Sequence, residues 1–454
     1  MIPLALALLV ACQPEPWEPP GDGETKGCRA QATLDRPIAD TLGLSTHLSD
    51  GSDEASQAKR AFELAQWQEI GMGIARRDLT WSGVEPVQGS FDFSRPDAFI
   101  EGVESVGVEP LGLLVYGNPW ASAEGDVHGY PPDDPADYAA YAVATARHFG
   151  DRIRRYEIWN EPNSGIRFWM PQEDPAAYAE LVVTAARALH AEDPDLELSL
   201  GGLFLPGLAF NTPGLEFLDA AIEAQPTLLE QVDAVAVHPY RYPFTAPENS
   251  DDWQPSWLED LCGTIDILEA HGAGALPLWI TEIGWHTAPD ALFEGVSHDE
   301  QAAYMVRSFV SGLTHGQEMY LCYTFYDGGD NEADQEQMFG LWDYDTDPTT
   351  APEPEPKRGV EAWKNLMRAA GDHDSIQDQA AWLGLGDDLW AYQLSGGEGS
   401  TWVLWSSADP GTITLPGEGE AQLLPMTGVA TVVTALDGAF EIPVSGEPSY
   451  LLLP

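Results

Sequence analysis

Basic residues and cysteine are what this sequence has least of. Lys and Arg together number 20 against 74 Asp and Glu, a formal net charge of -54 over 454 residues. So acidic a surface repels phosphate backbones and anionic headgroups, which excludes nucleic acid as an expected partner. The acid surplus reads as a solvated face suited to salty or extracellular surroundings. Four cysteines, with no CxxC pair and no Cys/His cluster, exclude the usual structural metal sites, and nothing calls for a cofactor. No helical stretch is long and apolar enough to cross a bilayer. What the composition does supply is 44% hydrophobic residues and 16 Trp, enough for a sizeable core. The length calls for one large domain and a smaller one.

The stretch "MIPLALALLVAC" is apolar but too short to span a membrane. Its end, Leu9, Val10, Ala11 and Cys12, resembles a bacterial lipobox, after whose cleavage Cys12 would carry the lipid. Residues 1–12 are read as a signal peptide and 13–37, opening "QPEPWEPPGDGETKG", as a Pro-rich tether. The expectation is an extracytoplasmic protein, lipid-anchored to the bacterial cell envelope and touching membrane only through that anchor; a secreted protein is the alternative. Of the other cysteines, Cys28, Cys262 and Cys322 allow one disulfide at most, and their spacing does not choose the pair.

From 38 to 370, short apolar runs alternate with helical patterns. Strands are expected at 41–46, 72–78, 109–115, 153–158, 197–202, 234–238, 278–281 and 319–323, eight in all. Asp134-Pro135 and Asp174-Pro175 place a capping side chain before a proline in the first helical turn. Ser297 with Glu300 makes a capping box, and Gly150 and Gly316 sit where helices should stop. Eight successive βα units predict a TIM (β/α)8 barrel over 38–370. Residues 371–454 change texture to short β-prone runs broken by Gly, Pro and Asp-Gly turns, read as a small antiparallel β-sandwich packed on the barrel.

A barrel of this kind carries its site at the C-terminal ends of its strands, so the polar groups there are the candidates. They are His47; Arg76 and Asp78; Tyr116 and Asn118 with Trp120; Asn160 and Glu161; His238 and Tyr240; Glu282; and Tyr323, Phe325, Tyr326 and Asp327. Glu161 and Glu282 stand on the fourth and seventh strands, across the mouth from each other. Two facing carboxyl groups are what glycoside hydrolysis needs, one to protonate the leaving oxygen and one to attack, the latter at a separation near 5 to 5.5 Å. Beside an ionised Glu282, Glu161 is expected to keep its proton, whereas Arg76 and the Tyr240 hydroxyl favour the charged form of Glu282. The Asn160 amide can meet a sugar hydroxyl that gains charge in the transition state.

The segments "IWNEPN", "ITEIGW", "VHPY" and "ARRDLTWSGVEPVQGSFDF" resemble strand ends of clan A retaining glycoside hydrolases. The longer "NEPNSGIRFW" and "HDEQAAYMVRSF" lean towards family 39 and its family 5 relatives in that clan. The resemblance covers most of 38–370. It implies Glu161 as acid/base, Glu282 as nucleophile, Asn160 at the sugar 2-hydroxyl, and Arg76, His238 and Tyr240 around the nucleophile and sugar. One strand departs from the pattern: many clan members place a Trp on strand eight under the sugar, and "YLCYTFYDGGD" has none, leaving Cys322, Tyr323 or Phe325 to fill the space.

Among the aromatics, Trp120 and Trp285 are the preferred stacking platforms over Trp81 and Trp169. Arg77 is expected to face away from Arg76 along the strand. The alternating Asp343, Asp345 and Asp347 of "WDYDTDPTT" do not make a calcium loop, because Pro348 and Pro354 stand where an EF-hand needs Gly and Glu. The expected function is a retaining glycosidase acting on a β-linked oligo- or polysaccharide. The alternatives are a catalytically inactive carbohydrate-binding lipoprotein and a transglycosylase using the same carboxylates.

Overall fold

The computed structural model describes residues 26–125, 129–208, 211–250, 254–343 and 354–454. The lipobox cysteine Cys12, and Asp345 and Asp347, lie outside the described residues.

Eight parallel strands close into a barrel: β2 (Leu42–Ser45), β3 (Ile74–Thr80), β4 (Glu109–Val115), β5 (Arg155–Asn160), β6 (Glu197–Phe204), β7 (Ala234–His238), β8 (Leu278–Ile283) and β9 (Gln317–Tyr323). Ile74, Leu111, Ala234, Ala236, Trp279, Met319 and Leu321 fill its interior, so it is a packed core with no pore. The surrounding helices begin where their caps predict. Asp134 and Asp174 accept the first free backbone N–H groups of Pro135–Phe149 and Pro175–Glu192, and Ser297 with Glu300 closes the capping box of His298–Leu313. A second capping box, Ser256 with Glu259, starts Trp257–Ala270.

The C-terminal region builds the expected antiparallel layers, unequal in size. One sheet has seven strands in the order β1 (Gln31–Thr33), β10 (Ser375–Asp378), β11 (Leu389–Ser395), β12 (Ser400–Ser406), β17 (Ser449–Leu453), β14 (Glu420–Pro425) and β15 (Thr431–Thr434). The other pairs β13 (Gly411–Pro416) with β16 (Ala439–Val444). Trp402, Leu404, Ile413, Phe440 and Ile442 pack between them.

This topology corrects the expected tether. Gln31, Ala32 and Thr33 pair with Gln377, Ile376 and Ser375, so the chain is built into the C-terminal sheet well before residue 37. The reason is β-pairing of an alternating segment with a sheet edge, reinforced by a Cys28–Cys262 disulfide that fixes the segment to helix Trp257–Ala270. Cys322 stays a free, buried thiol.

The two regions also meet at Glu248, on the loop after β7. Its carboxylate accepts from Arg307 Nε at 2.8 Å and from the Trp405 indole at 2.9 Å. A cleft-side loop, a barrel helix and strand β12 thus share one carboxylate.

Candidate active site

β5 does not end as a regular strand. Trp159 and Glu161 both adopt the left-handed region, with φ of 72° and 42°. Side chains alternate across a regular strand, so residues 157 and 160 would face opposite sides. The turn at Trp159 breaks that alternation and aims Glu157 and Asn160 at the same guanidinium. Such backbone costs on the order of 1–2 kcal/mol per residue and persists only where surrounding contacts hold it. Those contacts are specific: the Trp159 indole donates to the Phe168 carbonyl at 2.8 Å, and Glu161 N–H donates to the Gly202 carbonyl at 3.0 Å. Gly202 has no substitute here, because a Cβ would stand 2.0 Å from His238 Nε2.

The guanidinium belongs to Arg76. Nε donates to Glu157 Oε2 at 2.8 Å, and Nη2 donates to Glu157 Oε1 at 3.0 Å and to Asn160 Oδ1 at 2.9 Å. Nη1 donates to Glu282 and to the Ser45 hydroxyl. The Arg76 and Glu157 side chains are 1% and 0% exposed, whereas Glu282 is 17% exposed and opens to the cleft. Burial alone would raise the Glu282 pKa; the charges of His238 and Arg76, with the Arg76 hydrogen bond, outweigh it and hold the carboxyl below its ordinary range. The Tyr240 hydroxyl adds a contact at 3.3 Å.

His238 Nδ1 lies 2.9 Å from Glu161 Oε1, and its Nε2 lies 3.0 Å from the Thr281 hydroxyl. One oxygen each of Glu161 and Glu282 and a nitrogen of His238 fall within 4.8 Å of one another. The spacing is short enough to hold a cation among them, yet Arg76 already supplies a positive charge at Glu282.

The cavity over these groups, about 280 Å³, is lined by Ser45, His47, Asp78, Tyr116, Asn160, Glu161, Glu282 and Tyr323, among others. The structure therefore brings Glu161, Glu282, Asn160, Arg76, His238, Tyr240, Tyr116 and His47 together. It does not bring Asn118, Trp120 or Trp285. The Glu85 carbonyl takes both the Asn118 amide, at 2.9 Å, and the Trp120 indole, at 3.0 Å, which turns both away from the cleft. Trp285 is fully buried, its indole on the Thr245 carbonyl at 2.9 Å. Trp81 and Trp169 are core residues as well. Tyr323 alone occupies the strand-eight space; Cys322 and Phe325 are buried, and Asp327 pairs with Lys357 at 2.8 Å. Arg77 turns to Asp50 instead, at 3.2 Å.

Sequence reasoning missed Glu157, Arg167, Phe168, Tyr242, Glu336 and Phe339. Phe168 stacks on Tyr116 with ring centroids 5.3 Å apart, under the Arg167 guanidinium at 4.6 Å. The signal for these two lay inside "NEPNSGIRFW"; Glu336 and Phe339 sit on the loop after β9, which carries no comparable pattern.

The sequence matches no protein-family model and no curated protein. Solved structures do match. A family 39 glycoside hydrolase from the gut symbiont Bacteroides cellulosilyticus WH2 superposes with a TM-score of 0.70 at 21% identity, over 92% of this chain and 81% of that one. A monomeric β-xylosidase from Caulobacter crescentus CB15 gives 0.60 at 18%, over 94% and 98%. A family 30 endoxylanase from Clostridium papyrosolvens C71 gives 0.59 at 10%, over 94% and 97%. This chain has the two-domain fold of the family 39 glycoside hydrolases, the family towards which the strand-end motifs lean.

Proposed function

We propose that this protein is a retaining glycosidase, with Glu161 as general acid/base and Glu282 as nucleophile. The observation that carries the reading is the pairing of the two carboxyl groups, one oxygen of each within 4.8 Å in a single cleft, with Arg76 on one and His238 on the other. That spacing suits attack by a carboxylate and leaves little room for a water between the two groups. In the first step Glu282 bonds to the anomeric carbon as the glycosidic C–O bond breaks, and Glu161 gives its proton to the departing oxygen. In the second, Glu161 takes a proton from water, whose oxygen displaces Glu282 from the same carbon. Asn160, held by Arg76 through its Oδ1, presents its amide N–H to a sugar hydroxyl.

The β-xylosidase and endoxylanase among the similar structures make β-linked xylosides the first substrates to try, with β-glucosides beside them. Glu161→Ala should lose turnover of unactivated glycosides and recover turnover of an activated aryl glycoside on adding azide. A 2-fluoro sugar should label Glu282, read by peptide mass spectrometry. Label on another residue, or full activity in Glu161→Ala, would overturn the assignment.

The protein is further proposed to be exported and held to the envelope by lipid on Cys12. The lipobox-like tetrapeptide supports this, and so does the Cys28–Cys262 disulfide, since such bonds persist in oxidising compartments. Globomycin-sensitive processing, lost in Cys12→Ser, tests it.

A further inference from the structure

We propose that the space beyond Glu161 receives an apolar leaving group, an aryl or alkyl aglycone and not a further sugar unit. This rests on Glu161 being the acid.

A second cavity of about 360 Å³ adjoins the first. The two share Glu161, Arg167, Phe204, Tyr242 and Glu336, but Glu282 lines only the first. The nucleophile attacks from the side opposite the departing oxygen, and the acid protonates that oxygen. A leaving group therefore extends towards the cavity that Glu161 borders and Glu282 does not.

The chemistry of that cavity differs from its neighbour's. The first is ringed by carboxyl, amide, imidazole and hydroxyl groups suited to a sugar. The second is walled by Ile166, Phe204, Leu208, Leu292 and Phe293. Ile166 is 64% exposed and Leu292 92% exposed, a placement that leaves apolar surface in water until something covers it. Of the polar side chains that line this cavity and not the first, Asn211, Asp334 and Gln335 make hydrogen bonds within the protein, the Gln335 amide to the Tyr242 hydroxyl at 3.4 Å. The Asn211 amide donates to the carbonyls of Pro206 and Thr212, and its oxygen accepts from Leu208 N–H. Asp334 accepts from Glu336 N–H and from the Gln337 amide. Beyond the shared Arg167 and Glu336, a sugar would give up water without gaining equivalent partners, whereas an apolar group would cover Ile166 and Leu292.

The test uses the purified full chain with methyl, butyl and octyl β-xylosides and β-glucosides, kept below micellar concentration, beside xylobiose and cellobiose. Simple alkanols leave with similar difficulty, so the series reports contact with the cavity. Octyl over methyl is expected to gain at least about 30-fold in kcat/KM and to exceed the matching disaccharide. In Ile166→Ser/Leu292→Ser the octyl-to-methyl ratio should fall to within about threefold of unity. Turnover with a flat series, or with the disaccharide preferred, would overturn the inference and leave the hydrolase reading standing. If no glycoside is turned over, calorimetry decides. Tighter octyl than methyl binding, lost in the double variant, would uphold the apolar cavity while the assigned reaction falls; equal binding would overturn the inference.

Discussion

Arg76 and Glu157 form a two-pronged ion pair beneath the cleft floor, at 2.8 and 3.0 Å, with neither side chain more than 1% exposed. Geometry of this kind matches the fork of a guanidinium to both carboxylate oxygens and leaves Nη1 for Glu282. Arg76→Met strands a buried carboxylate and should cost roughly 3–5 kcal/mol in urea unfolding. Arg76→Met/Glu157→Leu leaves no fully buried charge stranded, only the cleft-facing Glu282, and should regain most of that stability and stay inactive. A double variant as unstable as the single would show that the pair does not act in this way.

The lowered pKa of Glu282 sets a direction in pH. Burial opposes it, and the charges of His238 and Arg76 prevail, so the carboxylate is ionised in the folded protein at pH values below its ordinary 4.5. The acid limb of kcat/KM should therefore lie below that value, and weakening the pairing by Arg76→Lys should move the limb upward. A depressed carboxyl also contributes stability that is present above its unfolded pKa and lost as pH falls through the folded one. An acid limb unmoved by Arg76→Lys would assign it to another group.

Thr281 holds the His238 ring in place. Its hydroxyl donates to Glu157 Oε1 at 3.3 Å, so it accepts from Nε2 at 3.0 Å, which keeps Nδ1 turned to Glu161 at 2.9 Å. The acid is thereby oriented through the ring it touches. Thr281→Val should lower kcat/KM for alkyl glycosides by about 10- to 100-fold and for dinitrophenyl glycosides far less, with Thr281→Ser restoring both. An equal loss on both classes would point to a structural role only.

Glu63 predicts a change in stability with the opposite sign. It is buried beside β2, accepts the Thr46 hydroxyl at 2.7 Å, and burial pushes its pKa up to about 7. A carboxyl whose folded pKa is raised binds its proton more tightly when folded, so stability declines as pH rises from about 4.5 to about 7. Glu63→Gln removes that decline and should gain up to roughly 3 kcal/mol at pH 8 with little change at pH 4. Thermal melts at the two values test it; equal shifts at both would refute it.

The barrel was legible in the sequence because each strand is a short apolar run and three of the helices announce their N-caps. Boundaries moved where tertiary pairing extended a strand, as β6 runs on to Phe204 through two glycines. At the site, the residues that end strands inside strong motifs were readable, among them Glu161, His238 and Glu282. Glu157 was not, because a charged residue within a strand looks the same whether it faces the barrel axis or the solvent. Trp120 and Trp285 misled for a related reason: their positions after strands suit stacking, but a backbone carbonyl nearby claims each indole. β1 was hidden because a three-residue strand takes its identity from the sheet it joins.

The carboxylate of Glu248 ties the C-terminal sheet to the loop that borders the cleft. Residues 239–250 carry Tyr240 and Tyr242 into the cleft, and the same loop is gripped at Glu248 by Arg307 and by Trp405 of β12. A module that merely hangs from a barrel can be exchanged for another without disturbing the mouth. Here the exchange would take the Trp405 indole from Glu248 and leave that loop to Arg307 alone.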